Sequence, residues 1–229
     1  MLLSIIIVNW NSADYLRACL GSVYATITGL PFEVIVVDNA SPVSCEEEIT
    51  AEFPDIRFIQ CRSNLGFARA NNVGFSCAQG DFLLFLNPDT ELIGCAVAKM
   101  VMDLEAFEAG GAMGCRLLNS DHTIQTSAIH RFPTIANQLF SSEFLRLKFP
   151  RLDFWGIRPL FEEYAHPVVV EAISGACMLV KREAFEAAGR FNEEFFMYAE
   201  DIDLCYMIRQ KGYQVLYTGR ASIVHHGGK

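Results

Sequence analysis

The runs Ser-Ile-Ile-Ile-Val and Val-Ile-Val-Val near the N-terminus carry no polar alternation, the pattern of strands buried on both faces of a parallel sheet. They predict strands at Leu3 to Asn9 and Phe32 to Asp38, with further strands at Ile56 to Gln60 and Phe82 to Leu86. Between them the apolar spacing becomes helical, over Ala13 to Thr26, Cys45 to Phe53 and Gly66 to Ala78. This alternation predicts a doubly wound α/β half, in which ligands sit outside the carboxyl ends of the strands. The polar strand ends Asn9 to Asn11, Asp38 to Ser41 and Asn87 to Thr90 are therefore expected to converge on one crevice. After Gly110 the regularity lapses into a short strand at Met113 to Leu118, a hairpin-like stretch to Ala128 and an aromatic, proline-punctuated segment from Phe132 to Pro167. It returns with strands at Val168 to Ile173 and Ala176 to Lys181 and helices at Arg182 to Ala188 and Ala199 to Gln210. Short closing strands are expected at Gln214 to Tyr217 and Ser222 to His225.

Length and composition narrow this to a single domain over 1–229, regularly patterned at 1–110 and less so at 111–229. The chain has 229 residues, 52% of them hydrophobic, and a net charge of −9. That charge argues against nucleic acid as a partner, because a phosphate backbone calls for a basic stripe. The eight cysteines are dispersed without a C-x-x-C pair, which fits reduced core thiols in a cytosolic compartment, and no zinc site is expected. No apolar run approaches the ~18 residues of a membrane span, and Met1 leads straight into a strand, so neither a span nor a secretory signal is expected. The stop at His225-His226-Gly227-Gly228-Lys229, directly after a strand, reads as a truncation.

Four groups of residues carry candidate chemistry. Val8, Asn9 and Asn11 close the first strand, and Asp38 and Asn39 close the second, where a carboxylate could read a base N–H or ribose hydroxyls or could simply cap the next turn. Asn64, Gly66, Arg69 and Asn72 open a helix whose N-terminus favours an anionic diphosphate, with Gly66 permitting close backbone approach and Arg69 adding a guanidinium. Asn87-Pro88-Asp89 ends a hydrophobic strand abruptly and presents Asp89 as an oxygen ligand for a divalent cation, although the same residues form ordinary turns.

The fourth group is Glu200-Asp201-x-Asp203 at a helix start, where acids also complement the helix dipole. Asp201 shares a face with Leu204, Cys205 and Ile208, so it is expected to face the core and to serve as a general base. Phe195-Phe196-Met197-Tyr198 would then wall the site from water, and a histidine of the His225-His226 pair could complete a metal shell with Asp89. Ser174-Gly175-Ala176 reads either as a close-approach spot or as a plain tight turn.

In order and spacing, IIIVNWNSADYLRACLGSV, VIVVDNAS, NLGFARANNVG, FLLFLNPDTEL, ISGACMLVKREAFEAAGRFNEEFFMYAEDIDLCYMIRQKGYQVLY and VHHGG resemble glycosyltransferase family 2, of GT-A fold, over nearly the whole chain. The branch they resemble most is that of the rhamnosyltransferases, where N-P-D-T stands in place of D-x-D. The resemblance implies an α/β GT-A domain with a Rossmann-like, mostly parallel sheet, and an inverting transfer from a dTDP- or UDP-linked sugar to a glycan or lipid-linked acceptor. That places it in polysaccharide or lipopolysaccharide assembly, on the cytoplasmic side and peripheral to the membrane.

Carried over by residue, it implies that Asp38 contacts the nucleobase and that positions 64–72 shape the nucleotide pocket. Asp89 binds Mg²⁺ or Mn²⁺ at the diphosphate, His225 approaches the metal, and Asp201, beside Glu200, acts as base. Asn87 departs from the acid many relatives carry, which points to a metal leaning on substrate phosphates. The competing readings are a sugar-nucleotide nucleotidyltransferase, whose basic glycine-rich loop is missing before Val23, a catalytically inactive nucleotide-sugar-binding relative, and an NAD-dependent oxidoreductase, for which G-x-G-x-x-G is missing after the first strand.

Overall fold

A computed structural model describes residues 1–134, 148, 149, 152, 155–162, 164 and 166–227. The elements of the first half are β1 (Leu3–Asn9), α1 (Ala13–Thr26), β2 (Phe32–Asp38), α2 (Glu46–Glu52), β3 (Arg57–Gln60), α3 (Phe67–Cys77), β4 (Phe82–Leu86), β5 (Thr90–Leu92) and α4 (Ala96–Glu105). Those of the second half are β6 (Gly110–Leu118), β7 (Ile129–His130), β8 (Val168–Val169), β9 (Ala172–Ile173), β10 (Cys177–Lys181), α5 (Arg182–Ala188), α6 (Glu200–Gln210) and β11 (Gln214–His225). Most of the segment from Phe132 to Pro167 that the sequence reads as irregular lies outside the described residues.

The main sheet has the order β3-β2-β1-β4-β10-β6-β11-β5, with β8 pairing β11. β1 is parallel to β2 and β4, and β2 to β3, so the first half is the parallel unit its apolar runs predict. β10 enters antiparallel between β4 and β6, while β6 and β11 run parallel to each other. Every residue of β1 and β4 is buried, as strands covered on both faces must be. Helix α3 packs on β1 and β2, α4 on β6 and β11, and α5 against α6. Phe85 of β4 meets Phe185 and Phe191 with ring centroids 5.0 and 4.9 Å apart, which ties the sheet to the turn before α6.

The structure departs from the sequence expectation in three places. Strand β5 and helix α4 lie where no element is expected. β5 is three residues long and exists because the distant β11 pairs with it, information that local pattern does not hold. The two closing strands are one strand, β11, whose register on β6 jumps between Thr218 opposite Cys115 and Ser222 opposite Arg116. At that bulge Asp103 of α4 accepts from the Thr218 hydroxyl at 2.9 Å and from Arg220 at 2.8 Å, pinning the kink. The strand expected at Val168 to Ile173 is split between β8, on the main sheet, and β9, which pairs β7. All eight cysteines are free thiols, five of them buried. Among the described residues no helix is long and apolar enough to cross a membrane.

Candidate functional site

Two cavities open at the carboxyl ends of the parallel strands. The larger, about 790 Å³, is lined among others by Asn87, Asp89, Gly175, Glu200, Asp201 and His225. Its first chemical pair is made by the sheet. β11 runs antiparallel to β5 with His225 opposite Thr90, and the His226 N–H donates to the Asp89 carbonyl at 2.9 Å. That register brings the His225 Nε2 to 3.4 Å from Asp89 Oδ1 and 3.5 Å from Asn87 Nδ2. On the far side of the ring, Nδ1 lies 2.9 Å from Gln125 Oε1, while the Gln125 amide donates to the His225 carbonyl at 2.5 Å. Gln125 thus assigns the ring proton to Nδ1 and turns the Nε2 lone pair toward Asp89, the orientation that a metal-binding imidazole needs.

His226 is engaged elsewhere, at 2.8 Å from Glu91 and 2.8 Å from Ser120, with Tyr15 beside its ring. Of the two histidines, His225 is the one facing Asp89. Among the described residues no three His, Cys, Asp or Glu side chains gather as a ready-made metal cage. A carboxylate and one imidazole fit Mg²⁺ or Mn²⁺, which take oxygen donors and readily complete their shell with phosphate oxygens and water.

Glu200 and Asp201 of α6 line the same cavity. The turn between β9 and β10 carries Gly175, whose N–H donates to Asp201 Oδ2 at 2.8 Å, and Ile202 N–H donates to Oδ1 at 2.8 Å. A Cβ on Gly175 would lie 3.3 Å from the Asp201 Cβ, so the glycine sets how closely turn and helix approach. The same turn reaches Asn87, whose N–H donates to the Ala176 carbonyl at 3.0 Å. The burial expected for Asp201 belongs instead to Glu200, which is 7% exposed with Oε2 unpartnered, whereas Asp201 is half-buried. Leu204, Cys205 and Ile208 are buried as their spacing predicts, and Glu200, four residues before Leu204, takes the first place of that stripe in place of Asp201. Phe196, Met197 and Tyr198 are largely exposed, so the expected wall is an open rim.

Burial raises the Glu200 carboxyl above its usual range, and the neighbouring Asp201 charge raises it further. The folded protein therefore holds this proton to higher pH than the unfolded chain does. Its stabilising contribution is full below the ordinary carboxylate range and is lost as pH rises through the raised value. Glu200→Gln, which cannot ionise, is expected to gain stability relative to the parent between about pH 4 and pH 8. Urea unfolding of both proteins across that range checks this, and parallel stability curves would refute it.

The second cavity, about 410 Å³, lies over the ends of β1 and β2 and is lined by Asn9, Asn11, Tyr15, Ser41, Ser44 and Glu48 among others. Val8, 8% exposed, lies beneath it in β1. Asp38, expected at its surface, is fully buried. Its Oδ1 accepts from Ser41 N–H and Gln60 Nε2, both at 2.8 Å. Its Oδ2 accepts from Asn9 Nδ2 at 2.8 Å and the Ser41 hydroxyl at 2.7 Å. The β1–β2 register, with Asn9 opposite Asp38, creates this cluster, in which both carboxylate oxygens are paired within the protein. Ser41 in turn accepts from Asn11 N–H at 2.8 Å.

The expected diphosphate cradle at α3 is likewise filled by protein. Gly66 (φ 79°) is needed because a Cβ there would meet the Phe196 carbonyl at 2.3 Å, and that carbonyl takes the Phe67 N–H at 2.8 Å. Asn64 accepts from Gly66 N–H and Asn39 Nδ2, both at 2.9 Å, and Asn39 accepts from Leu65 N–H at 2.8 Å. Asn72 donates to the Phe191 carbonyl at 2.9 Å, and Arg69 reaches outward to Glu193 at 3.3 to 3.6 Å. Arg69 and Asn72 thus hold the loop before α6 rather than lining either cavity. Sequence reading missed Gln125, which orients His225, and Ser127 and His130, which line the cavity from a 3-10 turn and from β7 with no motif around them.

The model of the glycosyl transferase family 2 matches residues 4–188, well over half the chain. The chain belongs to glycosyltransferase family 2. It is 30% identical over 98% of its length to the low-salt glycan biosynthesis hexosyltransferase Agl10 of Haloferax volcanii, covering 67% of that protein. It is 25% identical over 98% of its length to the N-acetylglucosaminyl-diphospho-decaprenol L-rhamnosyltransferase of Mycobacterium tuberculosis, covering 76% of it. The fold superposes on GalNAc-T7, solved with UDP, GalNAc and Mn²⁺, with a TM-score of 0.73, at 15% identity and over 99% of this chain. The chain spans 44% of that solved protein's length. This family 2 chain accordingly has the GT-A fold, and its rhamnosyltransferase-like resemblance holds.

Proposed function

We propose that this family 2 glycosyltransferase moves a sugar from a nucleoside diphosphate to an acceptor hydroxyl with inversion at the anomeric carbon. The observation that carries the reading is one cavity lined by both Asp201 and the Asp89–His225 pair. The nucleoside would occupy the neighbouring cavity over β1 and β2, with Asn11 and Ser41 at its wall and Asp38 acting as a positioning residue that holds Asn9 and Ser41. Asp89 and His225 would hold Mg²⁺ or Mn²⁺, which when bound offsets charge on the diphosphate.

In the transfer itself Asp201 takes the proton of the acceptor hydroxyl as that oxygen bonds to the anomeric carbon, and the bond to the diphosphate breaks with its electron pair leaving on the nucleotide. The Gly175 and Ile202 N–H groups fix the carboxylate for this step. One displacement inverts the centre. The names of the two relatives support a hexose or rhamnose donor and a lipid-linked acceptor in glycan assembly. Work at the inner face of the membrane follows from such an acceptor.

The test is thermal unfolding with UDP, dTDP and GDP, each with and without Mn²⁺. The matched nucleotide with metal is expected to stabilise the protein by about 2.7 kcal/mol at a hundredfold excess over its Kd. Asp89→Ala should lose the metal-dependent part of that gain. Silence from all three nucleotides would remove the basis for donor binding, and a response without turnover on any acceptor would favour an inactive nucleotide-sugar-binding relative.

A further inference from the structure

A third cavity, about 390 Å³, adjoins the catalytic one, and His130 lines both. Its walls carry three guanidiniums, Arg131, Arg158 and Arg209, and one carboxylate, Glu171. That is an inversion of local charge in a chain whose net charge is −9. Arg158 pairs with Glu162 at 2.7 Å. Glu171 is committed mainly to backbone, accepting from Phe132 N–H at 2.8 Å, and stands 3.9 Å from Arg131.

The arginines are set in place from behind. Arg209 donates to the Val170 carbonyl at 3.0 Å and lies over the Phe132 ring with its guanidinium carbon 5.5 Å from the centroid. Arg131 crosses Gly156 (φ 67°), where a Cβ would sit 2.7 Å from the Arg131 Cγ. A glycine in a left-handed conformation beneath the side chain is what lets Arg131 lie along this wall. A guanidinium carries five N–H donors, and these contacts occupy a minority of them on Arg131 and Arg209. Preorganised arginines around a cavity of this size suit a phosphoryl group, with its several acceptor oxygens.

We propose that this cavity binds a phosphate or diphosphate on the acceptor, placing the acceptor's sugar hydroxyl across His130 in the catalytic cavity. The inference rests on the transfer reaction proposed above and specifies its substrate class, a phosphorylated glycosyl acceptor. The site differs from the donor diphosphate site in using arginines and no metal.

The experiment is calorimetric titration with inorganic pyrophosphate, farnesyl diphosphate and farnesol in EDTA, on the parent, Arg131→Gln, Arg158→Gln and Asp89→Ala. Pyrophosphate and farnesyl diphosphate are expected to bind the parent and Asp89→Ala alike, and to weaken about tenfold or more in each arginine variant. Tighter binding of farnesyl diphosphate than of pyrophosphate supports a lipid carrier, and equal binding supports a water-soluble phosphorylated acceptor. Farnesol binding as well as its diphosphate, unchanged affinity in both arginine variants, or loss in Asp89→Ala alone would overturn the proposal. The nucleotide and Mn²⁺ unfolding assay on the same variants separates the two readings. An arginine variant that loses diphosphate binding and keeps its nucleotide response supports this site, whereas diphosphate binding beside a silent nucleotide panel removes the donor reading and leaves the anion site standing.

Discussion

Asp201→Asn is expected to lower the rate of sugar transfer by about two to four orders of magnitude, the usual worth of a positioned general base, and to leave donor affinity unchanged. The side chain is held through both oxygens, by Gly175 N–H and Ile202 N–H. An amide of the same shape keeps one of those bonds and the packing against Gly175, so the variant should fold and bind nucleotide while lacking a proton acceptor. Single-turnover transfer from a labelled donor, with donor Kd measured separately, reads the two effects apart. Full activity in the variant would hand the role to another group, and Glu200, buried and carrying a raised carboxyl, would be tested next.

The second large effect is structural. Asp38→Ala is expected to destabilise the fold by about 3–5 kcal/mol, a large share of the 5–15 kcal/mol typical of a domain. Four donors converge on this carboxylate, from Asn9, Gln60 and both the amide and hydroxyl of Ser41, and alanine leaves them facing each other without an acceptor. Urea unfolding measures the loss. If the variant is as stable as its parent but loses nucleotide binding, Asp38 contacts the base directly and its burial here is relieved on binding.

Those two carboxylates also mark how far the sequence could be read. Apolar runs without alternation give the parallel half with boundaries good to a residue or two, because strands buried on both faces have one solution. The candidate residues at strand ends gather where doubly wound sheets place ligands. What local pattern lacks is who reaches a group first. Asp38 has the right address and is consumed by protein donors. Gly66 has the conformation of a ligand-approach glycine, and a carbonyl from Phe196, 130 positions later, takes the space. Arg69 was expected at a phosphate and faces Glu193 instead. The swap of burial between Glu200 and Asp201 reflects an ambiguity of the stripe itself, since the two acids precede Leu204 by four and three residues and both spacings share its face. Gln125, which orients His225, had no signal beyond its identity.

The antiparallel seam between β5 and β11 has a consequence for biogenesis. Side chains alternate sides along a strand, so a slip of one position on that seam would turn the His225 imidazole away from Asp89. The partners are far apart along the polypeptide, so a ribosome must finish residue 225 before this couple can exist, long after the parallel half of the sheet has been made. On the proposed role of Asp89 and His225, cation affinity would double as a gauge of whether β11 has docked in register.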